Sequence, residues 1–240
     1  MAPLYDVQTP EFRPIQQHIM STDPLHTESF PWQECRARLE DLLEHGSQIR
    51  VDARSRAFEV LDEENELRVR LRPPLLLPEI PSEGRLEDYL EEDLEESGLQ
   101  LMLLIQAGAV AMGLWEGEEI LAHKAFKKYV VRGKGKAQAT HLASKGKSRY
   151  GSRLRLQNWQ SQILELKERC LDWQQSYGDF ERVLVSCPVR LWPDLFVSAP
   201  LPPFDQREGI TRIPMDVAVP SHAELLRVRR ACELGRIEYW

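Results

Sequence analysis

Between His123 and Arg155 the sequence holds eleven lysines and arginines and no acid: Lys124, Lys127, Lys128, Arg132, Lys134, Lys136, Lys145, Lys147, Arg149, Arg153 and Arg155. Glycines interrupt the run at Gly133, Gly135 and Gly146, and Gln138 stands near its centre. Glycine lets a backbone approach a ligand closely and adopt positive φ. The cations neutralise phosphates and make binding fall with salt. A carboxamide both donates and accepts hydrogen bonds but is no strong base. Gln138 can therefore orient a water or a ribose hydroxyl against a polarised ester or phosphodiester, with backbone N–H groups around it (Gly133, Gly135, Ala137) facing the developing oxyanion. The same composition also fits a solvated loop in which the glutamine has no task.

Other chemistries find no footing. There is no GxSxG elbow and no HExxH pair. Gly146-Lys147-Ser148 copies the end of a phosphate-binding loop, but His141 stands where its first glycine is needed. Cys35, Cys170, Cys187 and Cys232 form no CxxC pair, and His123, His141 and His222 are not at metal-ligand spacing from them. No metal and no cofactor is expected. Scattered single cysteines read as buried apolar residues in a reducing, cytoplasmic compartment.

The chain has 240 residues and a net charge of −7. With eleven positive charges confined to one stretch, the remainder carries −18, so a cationic surface sits on an acidic body that repels polyanions elsewhere. The longest apolar run, Leu99–Trp115, is interrupted by Gln100, Gln106, Gly108 and Gly113 and falls short of the roughly 20 residues a membrane span needs. No secretory signal is expected from the N-terminus.

The elements that must hold the basic segment follow from periodicity. Strands are expected over Leu99–Ala107, Ala109–Trp115 and Ile120–Arg132, then a loop over Gly133–Tyr150. Ser152 would cap a long helix whose stripe is Leu156, Trp159, Ile163, Leu166, Cys170 and Trp173, closing at Gly178. Phe180–Cys187 reads as a buried strand, Leu191–Phe196 as a short helix, Ile210–Met215 as an edge strand, and Ser221 opens a last helix running to about Leu234. Upstream, residues 1–30 read as an extended arm. A helix is expected to open at Ser29–Trp32 and run to about His45, with strands over Gln48–Ala53, Ala57–Leu61 and Glu66–Leu71, a proline-punctuated linker over 72–82 and an acidic helix over 85–96. The fold class is α/β, a mixed sheet with packed helices, preceded by a smaller α+β portion. The expected division is 1–98 and 99–240.

Three blocks resemble a known family: LLIQAGAVAMGLW (103–115), HKAFKKYVVRGKGKAQ (123–138) and KSRYGSRLRLQNW (147–159). They look like the release-factor-like domain of the Vms family, peptidyl-tRNA-cleaving factors of ribosome quality control, itself similar to the central domain of eukaryotic class-one release factors. The resemblance covers roughly residues 99–230. It implies that Gln138 is the catalytic glutamine, with Gly135, Lys136 and Ala137 beside it. The loop reads Gly-Lys-Ala-Gln rather than Gly-Gly-Gln, and the zinc finger and ankyrin repeats of eukaryotic members are missing, which fits a bacterial-type, minimal member. The implied partners are peptidyl-tRNA and the large ribosomal subunit, with no membrane, and the expected state is a monomer. Ester hydrolysis and cleavage near the tRNA 3′ end both fit the loop. A non-catalytic RNA-gripping module is the alternative.

Overall fold

The computed structural model describes residues 23–81, 84–92, 94, 98–128 and 147–240, the first six of the last stretch by backbone alone. Two five-stranded sheets organise these residues, with four α-helices among them.

The first sheet has the order β1-β10-β4-β3-β2, from β1 (His26–Pro31), β2 (Gln48–Asp52), β3 (Ala57–Leu61), β4 (Leu67–Arg72) and β10 (Leu234–Tyr239), with every neighbour antiparallel. The sequence reading places no strand after Leu234, yet β10 lies between β1 and β4, so the final strand completes the sheet of the N-terminal half. Phe30 pairs with Gly235, where an added Cβ would strike the Phe30 ring at 2.3 Å. That contact explains why Ser29–Pro31 extend as strand instead of opening a helix. The helix α1 (Cys35–His45) begins only after a 3₁₀ turn at Trp32–Glu34. With α2 (Leu86–Glu91), shorter than the expected acidic helix, α1 covers one face of this sheet through Cys35, Leu39, Leu42, Leu86 and Tyr89. The other face carries charge. Arg50, Glu59, Arg70 and Glu238 stand directly opposite one another across β2, β3, β4 and β10. Glu59 is fully buried between Arg50 and Arg70, at 2.5 and 2.6 Å.

The second sheet has the order β7-β6-β5-β8-β9. Strands β5 (Leu99–Gln106), β6 (Ala109–Glu116) and β7 (Glu119–Lys127) form an antiparallel meander, while β8 (Arg182–Ser186) and β9 (Ile210–Arg212) add in parallel. Alternation along β5 sends Leu101, Leu103 and Ile105 toward α3 (Lys147–Tyr177) and Met102 and Leu104 toward α4 (His222–Cys232). The mixed sheet is thus buried on both faces, the α/β architecture expected. Leu75, Leu76 and Leu77 are buried too, so residues 72–81 form a packed connection between the two cores rather than a solvent linker.

Two expectations for α3 change. It begins at Lys147, so 147–150 belong to the helix and Ser152 lies inside it instead of capping it. Lys147–Tyr150 contain no breaker, and one interior glycine, Gly151, costs about 1 kcal/mol in a helix of 31 residues. Leu156 is 56% exposed, because burial along the stripe starts at Trp159. Trp159, Ile163, Leu166, Cys170 and Trp173 all face the sheet. At its other end α3 stops at Gly178, whose φ of 110° suits glycine.

Candidate functional site

The segment that the sequence singles out lies in the chain between β7 and α3. Gln138, Arg132, Lys134, Lys136, Lys145, Gly133, Gly135 and Ala137 lie outside the described residues, as does most of the expected loop 133–150. Lys147 and Arg149 sit in the first turn of α3. The described structure shows how the two flanks are held.

They meet at one node. The Lys128 backbone N–H donates to Gly108 O at 3.0 Å, tying the end of β7 to the β5–β6 turn. Gln162, fully buried on α3, donates to Gln106 O at 2.8 Å and accepts from Gly108 N at 3.0 Å. The Lys128 ammonium donates to Ser161 O and Oγ and pairs with Glu165 at 2.8 Å. Trp159 Nε1 donates to Asp194 at 2.7 Å, fixing the rotation of α3 against the 3₁₀ turn at Trp192–Phe196. Trp159, the first buried side chain among those described on α3, lies twelve positions into the helix, so the helix start stands roughly 18 Å along its axis from this anchor.

This geometry sorts the expected cations. Lys124 and Lys127 are exposed on β7, an edge strand, and alternation puts them on opposite faces. Arg153 is exposed on the early part of α3 and Arg155 half-buried. Lys128 is engaged within the fold, so its charge is already matched by Glu165. Gln162 and Glu165 escaped the sequence reading. The available signal was a polar residue at 162 on the buried phase of an otherwise apolar stripe.

The histidines and thiols behave differently from ligands. His123 on β7 and His222 at the start of α4 meet edge to face, with Nδ1 atoms 3.2 Å apart, the first exposed and the second half-buried. Burial pushes the thiols of Cys35, Cys187 and Cys232 up to about 12 and that of Cys170 further, which keeps them protonated and unreactive at neutral pH. Cys187, expected to be buried, is half-buried just past β8. Among the described residues one group of three acids, Asp62, Glu64 and Glu66, is close enough to share a cation, and it is an exposed hairpin turn. No described helix is long and apolar enough to cross a membrane.

Fold and flanks together define an α/β domain in which a basic, glycine-rich segment lies between β7 and the long helix packed on the sheet. A sequence model of the family described as "Bacteroidetes VLRF1 release factor" matches residues 100–238, from β5 to the end of β10, and the chain belongs to that Vms-type, release-factor-like family. The mouse protein "tRNA endonuclease ANKZF1" is 32% identical over 150 residues, 59% of this chain. The chain spans 20% of the length of that relative. In three dimensions the chain is similar to the "Vms1 mitochondrial localization core", with a TM-score of 0.46 and 12% identity over 85% of this chain and 82% of the other.

Proposed function

We propose that this chain cleaves peptidyl-tRNA and so frees stalled nascent chains, acting at the large ribosomal subunit with Gln138 as the catalytic residue. The observation that carries the reading is the release-factor family match, whose span of residues 100–238 includes β6, β7, α3 and the segment between them. The node at Gly108, Lys128 and Gln162 supports it, because a loop that orients a nucleophile needs flanks fixed by packing and hydrogen bonds. In this reading Lys134, Lys136 and their neighbours neutralise tRNA phosphates, and Gln138 aligns the nucleophile while adjacent N–H groups meet the growing negative charge.

The bond cut has two forms. In one, water attacks the peptidyl ester. In the other, a ribose 2′-hydroxyl attacks the adjacent phosphate near the CCA end, closing a 2′,3′-cyclic phosphate and expelling the 5′-hydroxyl of the next nucleotide, and the name of the mouse relative as a tRNA endonuclease favours this form. The test is single-turnover incubation of the chain with peptidyl-tRNA on stalled large subunits, followed by mapping of the tRNA 3′ end. An intact CCA end identifies ester hydrolysis, and a shortened end identifies the nuclease. An uncut substrate at saturating protein refutes the proposal.

A further inference from the structure

Away from the Gln138 segment, a cleft of about 880 Å³ opens between the charged face of the first sheet and the β9–α4 side of the second. Five arginines line it, Arg54, Arg56, Arg72, Arg212 and Arg236, against two acids, Glu79 and Glu238. This excess stands on a body that is otherwise strongly acidic, so it is not a general property of the surface.

The arginines are arranged at some cost. Arg72 and Arg236 are directly opposite in the β4–β10 register, a like-charge pairing that weakens a sheet. Both lean on Glu238, at 2.6 and 3.8 Å, and Arg70 draws on the same carboxylate from 3.9 Å. Arg56 holds a left-handed backbone, φ 52°, where arginine is uncommon. Its Nη1 reaches Glu79 only at 3.6 Å, and its Nη2 is buried with no hydrogen-bond partner. Burial lowers the Arg56 pKa, with Glu79 opposing. Burial also lowers that of Arg182, and the charge of Arg56 adds to that effect. Glu79 is further shared with the Thr211 hydroxyl at 2.9 Å. Among the described residues neither Arg54 nor Arg212 forms an ion pair, although both are exposed on the cleft wall.

We infer that this cleft is a binding site for a small phosphate ester of nucleotide size, its phosphate held by Arg56, Arg72 and Arg236 and closed over by Arg54 and Arg212. A planar guanidinium presents paired donors that phosphate oxygens accept, and Arg54 and Arg212, exposed on the cleft and without an ion pair among the described residues, have theirs unspent. The volume lies in the range of small-molecule clefts. Leu75, Pro214 and Met215 give the wall an apolar part on which the organic portion rests. Glu79 and Glu238 inside the cleft disfavour a continuous polyanionic backbone, which argues for a small ligand over an RNA strand. The inference does not depend on the proposed peptidyl-tRNA reaction.

Calorimetric titration of the full chain with adenosine 5′-monophosphate, inorganic phosphate and adenosine tests it. Binding of the monophosphate is expected, weaker binding of inorganic phosphate, and none of adenosine. The double variant Arg54→Gln/Arg212→Gln, at two exposed positions, should bind the monophosphate at least tenfold more weakly with an unchanged circular dichroism spectrum and melting temperature. Arg236→Gln should weaken it also. Absence of monophosphate binding at millimolar concentration, or equal affinity of the double variant, overturns the inference. So does single-stranded RNA binding that these substitutions abolish and the monophosphate does not compete.

Discussion

Gln138 stands out as a candidate in the sequence because it is an uncharged polar residue inside a run of lysine and glycine, a composition suited to phosphate contact. If it orients the nucleophile, Gln138→Ala should leave the melting temperature and ribosome co-sedimentation near wild type while single-turnover cleavage falls about 10²-fold or more. Cleavage by the variant at the wild-type rate would end the catalytic assignment, even with family membership intact. Residues that support the flanks were not legible. Gln162 and Glu165 take their roles from groups on β5, the β5–β6 turn and Lys128, more than thirty residues earlier in the sequence. Ser221 is a local case that the sequence did expose. Ser221 Oγ accepts from Glu224 N as the helix cap expected, but the buried Glu224 carboxylate accepts from Ala218 N at 2.7 Å and from Arg227. The Arg227 hydrogen bond, with burial opposing, holds its pKa below the usual carboxylate value. A folded pKa below the unfolded one contributes stability that is full above the unfolded value and disappears as pH falls through the folded one. Urea unfolding of Glu224→Gln should therefore show a loss of about 1 kcal/mol or less at pH 7, with wild type and variant converging in acid. A gap that persists undiminished at pH 3 would mean the effect is packing, not charge.

At the scale of elements, those defined by their own periodicity were readable: β5 and β6 as continuous apolar runs, β2–β4 by alternation, and α3 by its stripe. What failed was whatever depends on distant partners. The strand β10 follows α4 with no turn signal between them, and its place is set by β4, with Arg72 and Glu238 paired across 166 residues. Leucines 75–77 look like a linker because prolines punctuate them, yet they fill space that two cores leave between them. The stripe of α3 gives the firmest stability prediction. Trp159→Ala and Trp173→Ala should each destabilise by roughly 3–5 kcal/mol, as removal of a buried aromatic does. Trp159→Phe separates packing from polarity: it keeps most of the ring but leaves Asp194 without its donor, for a loss of about 1 kcal/mol. Guanidinium denaturation measures all three. A Trp159→Phe variant as damaged as Trp159→Ala would show that Asp194, not the sheet, fixes this end of the helix.

For the whole molecule the charge pattern decides how it meets a polyanion. A net charge of −7 opposes RNA, and the cations that would overcome it sit where β7 and α3 flank the Gln138 segment. The structure divides them by what they already touch. Lys124, Lys127 and Arg153 are exposed, whereas Lys128 is bound to Ser161 and Glu165. If the exposed set contacts phosphates in the proposed complex, Lys124→Glu, Lys127→Glu and Arg153→Glu should each weaken ribosome association. Each should also flatten the slope of log K against log salt by about one unit, since each phosphate contact releases about one counterion. Lys128→Glu should act differently. It places a second carboxylate beside Glu165, loosens the β7 end from α3, and should lower the melting temperature. Pairing it with Glu165→Lys should restore stability by reversing the ion pair. The two classes are distinguished by measuring melting temperature and salt slope on the same four variants. If Lys128→Glu is as stable as wild type, the node does not hold the flanks. If the three exposed variants keep the wild-type salt slope, phosphate contact is made elsewhere on the molecule.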